Sequence, residues 1–492
     1  MSVLDPPVRP AAWRLPPVRA AERLDRLPAS RWLIKVMAVL FLGWLVESYD
    51  IGLSGSVLPS LTHLYHLGTG LESVVSISSA AGIVLGIVPA GWLADRFGRK
   101  RIMVAGTVAY AVLTVLTGLA PGIAWVIALR VLAGMAMGAV FPLPYAYGAE
   151  LCPPAIRGRF TGIADSFLSV GYFLSPLLAL VLIPSVTDNT GWRVMFFLGG
   201  LPIIFAVLAW RYVPESPRWY EARGRFEESE QVLAQIEARV AAETGRPLPP
   251  PPATRPIERP VDPPMGRPGT TTPLRAIFGR RFRRRSLVLW TTFGGIFFVF
   301  YSIQTFMPTV VASMGFTLTS AFVFTAVIVA VSIPGKLLEA WVVERWGRRP
   351  VIITFGIVAA VAALTFGFVR GVLPVLLAGC VMSFFGIGAD PAVKVYTAES
   401  YPTPVRALGT SLTEGFGRLV SGVIGPAFIP LLLAAGGVAA VYSLVGAVAL
   451  VAVVVVALFG EETRGRSLEE ITPPARTAHS VPIGPVPVRV RP

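Results

Sequence analysis

The chain alternates long apolar runs with short charged segments. Crossing the hydrocarbon of a membrane takes a helix of about 20 mostly apolar residues. Residues 102–129 contain no Asp, Glu, Lys or Arg, but Ala120-Pro121-Gly122 breaks them, so the run turns at one surface and returns. Residues 286–335 are also uncharged, too long for one crossing, and turn near Ser313-Met314-Gly315. The runs 351–369 and 437–460 carry no charge either. Applied to the whole chain, the pattern predicts spans near 32–58, 72–94, 102–119, 122–146, 159–184 and 193–213. A second set falls near 286–312, 318–342, 350–369, 372–397, 407–432 and 436–460. The expected fold is all-α, a membrane protein of twelve transmembrane helices in two six-helix bundles.

Basic residues set the expected orientation, because loops rich in Lys and Arg stay on the cytoplasmic side. Arg9, Arg14, Arg19, Arg23, Arg26 and Arg31 precede span 1, and Arg96, Arg99, Lys100 and Arg101 join spans 2 and 3. Arg280, Arg281, Arg283, Arg284 and Arg285 precede span 7, and Arg345, Arg348 and Arg349 join spans 8 and 9. Loops 59–71 and 313–317, on the opposite side, have neither Lys nor Arg. Both termini are therefore expected in the cytoplasm, with the chain in the inner cell membrane. The expected divisions are a tail over 1–31, a six-helix bundle over 32–213, a cytoplasmic loop over 214–285, a second bundle over 286–460 and a tail over 461–492. Within the loop, 219–243 is amphipathic and helix-compatible, while 247–264 is too proline-rich for a helix and reads as an extended linker.

Composition narrows the function. Of 492 residues 54% are apolar and 14% charged, against about 25% charged in soluble domains. Lys and Arg exceed Asp and Glu by 15, but the excess sits in the inter-span segments, so it describes a membrane surface and not a nucleic-acid-binding face. Two cysteines and three histidines exclude a disulfide framework and the usual zinc sites, so no metal is expected. With no Walker, HExxH or G-x-S-x-G motif, neither ATP-driven pumping nor hydrolysis is supported, and the chain reads as a non-enzyme without a cofactor.

The two halves repeat. GWLADRFGRK at 91–100 aligns with AWVVERWGRR at 340–349, and Glu150, Pro153 and Arg157 map onto Glu399, Pro402 and Arg406, all at an offset of 249. Two independent blocks at one offset argue for a duplicated six-helix unit, a signature of transporters whose solute site lies mid-membrane between the halves. At these blocks the chain resembles the major facilitator superfamily: Gly91, Asp95, Arg96, Gly98, Arg99 and Lys100 match its 2–3 loop signature. Pro214-Glu215-Ser216-Pro217-Arg218, Glu462-Thr463-x-Gly465-Arg466 and Tyr49-Asp50-x-Gly52 resemble the sugar-porter branch, whereas Gly415-Phe416-Gly417-Arg418 is similar to proton-coupled metabolite symporters. Gly91 can bring span 2 close to a neighbour, and Asp95 at a helix end can meet a partner helix's positive N-terminus. Arg96, Arg99, Glu150 and Arg157, repeated by Glu344, Arg345, Arg348, Glu399 and Arg406, form the expected cytoplasmic gating network, against the plainer reading that they only anchor topology.

Ionisable groups within a span cost about 2.5–3.5 kcal/mol each, which makes them functional candidates. Asp50 and Arg130 lie at equal expected depth, so an ion pair is predicted between them, and the resemblance implies that this pair couples to protons, with Glu47 beside it. A static structural pair is the alternative. Asp165 and Glu414 correspond at offset 249, Glu414 can pair with Arg418 one turn on, and Asp390 with Lys394. Where sugar porters carry a Gln and a Trp, this chain has Asp165 and Lys394, and of the span 7 glutamines only Gln304 remains. These departures favour a carboxylate-bearing solute over a sugar. The expected function is proton-coupled symport of a small organic anion or related metabolite across the bilayer, without ATP or nucleic acid. A proton-coupled sugar transporter, an exporter of cationic drugs and a non-transporting sensor on the same scaffold stay open.

Overall fold

The structure, a computed structural model, describes residues 20–28, 30–151, 154–185, 190–245, 247–250, 277–401 and 403–464. Residues 1–19, most of the proline-rich linker and the chain after 464 lie outside these, as do the side chains of Gly91, Arg157 and Arg406. The first half comprises span 1 (Arg31–Tyr65), span 2 (Thr69–Phe97), span 3 (Arg99–Gly118), span 4 (Ile123–Val140) and span 5 (Pro154–Ser185). Span 4 is followed by the separate helix Leu143–Leu151, and span 6 is split at Gly199-Gly200 into Gly191–Leu198 and Pro202–Tyr212. The second half starts with span 7 (Arg280–Ser313), span 8 (Leu318–Ala330 and Ser332–Trp346) and span 9 (Arg348–Phe368). Span 10 is Val372–Gly386 with Asp390–Ser400, and span 11 begins as Thr403–Arg418, continues through the π-helical turn Leu419–Ile424 and enters Gly425–Phe459.

That last stretch differs from expectation. Among the described residues eleven helices are long and apolar enough to cross a membrane, because 408–459 forms one run of 52 residues. A straight helix of that length would reach roughly 78 Å, more than twice the hydrocarbon thickness of about 30 Å. Gly437 resolves this, with non-helical φ 64° and ψ −163°. Gly425, before it, packs on Phe298 of span 7, and Gly446, after it, on Leu364 of span 9. Spans 11 and 12 therefore meet at Gly437 with no loop between them, and the crossings number twelve.

Close backbone contact fixes the first half. Gly82 and Gly86 of span 2 face Gly134 and Gly138 of span 4, so that a Cβ on Gly82 would stand 2.2 Å from the Val131 carbonyl and one on Gly134 2.2 Å from the Ser79 carbonyl. Such small-residue faces substitute van der Waals packing for the hydrophobic drive that lipid cannot supply. Arg130, one turn before Gly134, is thereby carried to span 2.

The two halves touch on the side away from the Arg-rich loops. A Cβ on Gly55 of span 1 would lie 2.1 Å from the Gln304 carbonyl and 2.8 Å from the Thr305 Cα of span 7. On the Arg-rich side the amphipathic segment forms two helices, Pro217–Ala222 and Phe226–Thr244, broken before Phe226 where Gly224 takes φ +70°. The predicted tail contributes a further helix, Ala20–Asp25. Arg23 bonds Glu237 at 2.7 Å and Glu230 at 2.5 Å, Arg26 bonds Glu237 at 2.6 Å, and Glu243 accepts the Trp32 amide at 2.7 Å.

Two predictions follow from these contacts. Burial pushes the Glu237 carboxyl up, but hydrogen bonds from Arg23 and Arg26 outweigh it and hold the group below its ordinary value. A carboxyl depressed on folding stabilises above its unfolded pKa of about 4.3, and that stabilisation is lost as pH falls through the lower folded value. Spin labels at Ala21 and Ala234 should stay close at neutral pH and separate only once the pH has fallen below the ordinary carboxyl range; Glu237→Gln should separate them at neutral pH. Equal spacing in all three conditions would count against the clamp. Secondly, Gly55→Ala should overpack the contact at a cost of about 1–3 kcal/mol and open that side. A cysteine placed at Gln304, in a chain whose Cys152 and Cys380 are replaced by Ser, should then react faster with a water-soluble maleimide.

Candidate solute and proton sites

Asp50 and Arg130 are paired as the equal-depth argument predicts, although span 1 runs seven residues beyond its expected end at 58. Arg130 Nη1 donates to both Asp50 carboxylate oxygens at 3.0 and 3.1 Å. Its Nη2 donates to the Asp50 carbonyl, Ser54 Oγ and Ser79 Oγ at 3.2, 2.8 and 2.9 Å. Thr114 of span 3 adds a hydroxyl to Asp50 at 3.1 Å. Both charged groups are buried, and four spans of the first half converge on them. Glu47 is not part of this cluster. It is buried, neither of its oxygens has a partner among the described residues, and the cation whose field reaches it is Arg418, from the other half.

The second cluster crosses between the halves. Lys394 of span 10 donates to Asp165 of span 5 at 3.1 Å and to Asp390 of its own helix at 3.0 Å. The i, i+4 pairing expected from the sequence is present, and Asp165 joins it from the first half. Two further groups complete the cluster. Lys336 of span 8, 2% exposed, stands 3.5 Å from the Asp390 carboxylate and donates to the Asp165 carbonyl at 3.2 Å. Glu339, one turn on, is 1% exposed, and among the described residues neither of its oxygens has a partner. Both fall inside the span expected at 318–342, so the rule that flags intramembrane charge covers them.

Glu414 accepts from Arg418 at 2.9 Å, as expected one turn apart. Arg418 also donates to the Tyr301 hydroxyl at 3.2 Å and sits 4.1 Å over the Phe141 ring of the first half. The π-helical turn starts at the next residue, a local rewinding common at functional positions. A cavity of about 390 Å³ runs between the halves from Lys394 and Glu414 towards Thr397 and Ala398, bounded by Phe141 and Phe293. Gln304 is buried apart from it, with its carbonyl against Gly55 and its Nε2 unsatisfied among the described residues. The chemistry available along the cavity is a half-buried ammonium, a carboxylate–guanidinium pair beside it, and aromatic walls.

The gating residues form the same arrangement twice. Arg99 pairs with Glu150, and Arg348 with Glu399 at 3.0 Å and Glu344 at 3.2 Å. Gly98 at φ +102° and Gly347 at φ +101° end one span and open the next. At each, a carboxylate caps the following helix: Glu215 accepts the Arg99 and Lys100 amides, both at 3.1 Å, and Glu462 those of Arg348 and Arg349, both at 3.0 Å. An anion at a helix N-terminus satisfies its free amides and its dipole. Glu215, and not Asp95, fills that place. Asp95 contributes its carbonyl, which accepts from Trp219 at 2.8 Å and from Arg223. Ser216 bonds Glu150 at 2.6 Å and Thr463 bonds Glu399 at 2.6 Å, completing the duplication. Arg345 lies 3.6 Å over the Trp341 ring, and Arg96 stands 5.7 Å over Phe97. These residues tie each half together on the Arg-rich face and touch no part of the cavity.

The comparisons agree with this architecture. The chain is 31% identical to a niacin transporter of Acinetobacter baylyi over 452 residues, 91% of this chain and 98% of the relative. It is 27% identical to a gallate transporter of Pseudomonas putida, covering 93% and 98% of the two chains. The inward-open structure of the xylose transporter XylE from E. coli superposes with TM-score 0.69 over 89% of this chain and 99% of that one, at 18% identity. The family described as sugar (and other) transporter matches residues 35–474. The chain belongs to that family, the sugar (and other) transporters, and is a multi-pass membrane transporter of small organic solutes.

Proposed function

We propose that the protein is a proton-coupled symporter of a small organic anion, working by alternating access in the inner cell membrane. The Arg-rich face is cytoplasmic by the positive-inside rule, with both termini on that side. The working units are the bundles 32–213 and 286–460, joined by the loop 214–285 and flanked by the tails 1–31 and 461–492. The observation that carries the anion reading is Lys394, an ammonium at the end of the inter-half cavity, held by Asp165 and Asp390. A solute carboxylate entering there competes with Asp165 for Lys394 and so loosens an ion pair that joins the halves. The two relatives named above are described by acids, niacin and gallate, which supports the same reading.

Asp50 is the proposed proton carrier. Its carboxylate is stabilised by Arg130 and Thr114 in the state described here. When the halves rock and that geometry loosens, Asp50 parts from its cation, and that is the step at which the carrier exchanges its proton. Exchange of one bound acid for another needs no such cycle. The second reading, a sugar as solute, rests on the fold shared with the xylose transporter and lacks a use for Lys394.

Asp50→Asn should therefore abolish accumulation driven by a proton gradient while leaving exchange of preloaded nicotinate partly intact. Full accumulation by that variant would remove Asp50 from coupling. Lys394→Gln should weaken nicotinate or gallate binding by about 1.5–3 kcal/mol, the scale of a charge-assisted hydrogen bond, as read by calorimetry on purified protein. Unchanged affinity, or binding of pentoses in preference to both acids, would favour the sugar reading.

A further inference from the structure

On the Arg-rich face of the first half, a cavity of about 350 Å³ opens between the start of span 3, the end of span 6 and the helix Phe226–Thr244. Four cations line it: Lys100 and Arg101 from span 3, Arg211 from span 6 and Arg239 from the amphipathic helix. Among the described residues none of these side chains forms an ion pair with a carboxylate. The lining contains one carboxylate, Glu215, and it is already committed, accepting the Arg99, Lys100 and Ser216 amides at 3.1 Å each. Four positive charges thus line one cavity against the single negative charge of Glu215. Other basic residues of this face are matched one by one, as Arg23 and Arg26 are by Glu230 and Glu237, or lie singly over a ring, as Arg345 does over Trp341.

Aromatic residues locate the cavity at the membrane boundary. Trp32, Trp210 and Tyr212 line it at the ends of spans 1 and 6, and Trp210 and Tyr212 are exposed. Indole and phenol rings at span ends sit at the headgroup level of a bilayer. Lys100 lies 5.0 Å over the Trp210 ring, which leaves its ammonium beside an apolar wall. A ligand that suits this setting carries an anionic phosphate on an apolar body lying along the outer side of span 6.

We propose that this cavity binds the phosphate headgroup of an anionic lipid from the adjacent leaflet. A phosphodiester offers acceptor oxygens to Arg101, Arg211 and Arg239, whose guanidinium groups suit phosphate, while the acyl chains remain in the bilayer against Trp210. Lys100 connects the site to the gate, since its own amide helps hold Glu215. Bound lipid therefore steadies the cap at Gly98 on the lipid side.

The test uses the full chain, delipidated in an uncharged detergent and observed by native mass spectrometry with phosphatidylglycerol, phosphatidylcholine or inorganic phosphate. One phosphatidylglycerol should remain bound where phosphatidylcholine does not, and millimolar inorganic phosphate should not displace it. Arg101→Gln/Arg239→Gln should weaken retention by about thirtyfold, from the contribution of two basic residues near a membrane surface. Arg283→Gln/Arg284→Gln, which removes the same charge elsewhere on this face, should leave it unchanged. Equal loss in the two double variants would mean that general surface charge attracts the lipid, and overturns the site. Displacement by inorganic phosphate would assign the cavity to a soluble phosphate and overturn the lipid assignment.

Discussion

A carboxylate carried into the middle of a membrane needs a cation beside it, and for Asp165 that cation comes from the other half. Asp165, on span 5, is bonded by Lys394 of span 10, while Lys336 of span 8 takes its backbone carbonyl. Burying a carboxylate of one half against an ammonium of the other lowers the cost of both in a medium that penalises unpaired charge. The halves are thus bridged mid-membrane by ion pairs which, on the proposed function, a solute rearranges. On one side of the cluster they close through Gly55 against span 7, and on the other they part around the cavity. Closure and opening sit on opposite sides of the same ion pairs, which is the geometry of a rocker with its pivot at the charge.

Rocking requires that each half move as a unit, and the Arg-rich face supplies that rigidity twice. A glycine at positive φ lets one span end and the next begin without a loop, and a carboxylate from later in the chain locks the new helix start. Glu215 and Glu462 therefore fasten the end of each half to its second and third spans. The network is internal to each half among the described residues, so it stiffens the halves without joining them. That separation of duties, rigid bodies below and a reversible ionic contact between them, follows from where the charges are placed.

Much of this was legible in the sequence because it depends on local rules. Uncharged runs and their breaks locate all twelve crossings, and equal depth predicts Asp50 with Arg130, since distance along a helix converts directly to depth. Helical spacing predicts Asp390 with Lys394 and Glu414 with Arg418. What escaped depends on distant contacts. Glu215 lies more than a hundred residues from the amides it caps, and nothing local distinguishes it from Asp95. Glu47 is three residues from Asp50, yet it makes no hydrogen bond to Arg130 among the described residues. The glycines that bring spans 2 and 4 together, Gly82, Gly86, Gly134 and Gly138, were missed although they carry a visible four-residue spacing. Gly437 turns the chain with no polar loop to announce it.

Lys336 and Glu339 change how the solute site is balanced. With Asp165, Asp390 and Lys394 they bring three carboxyl groups and two lysines into one buried region. When a solute carboxylate occupies Lys394, Asp390 still has Lys336 within 3.5 Å, so it need not be left without a cation. Asp165, contributed by the first half, is bonded at its carboxylate by Lys394 and at its carbonyl by Lys336. On the proposed function an anion entering at Lys394 competes with that carboxylate, so solute binding acts where the halves meet.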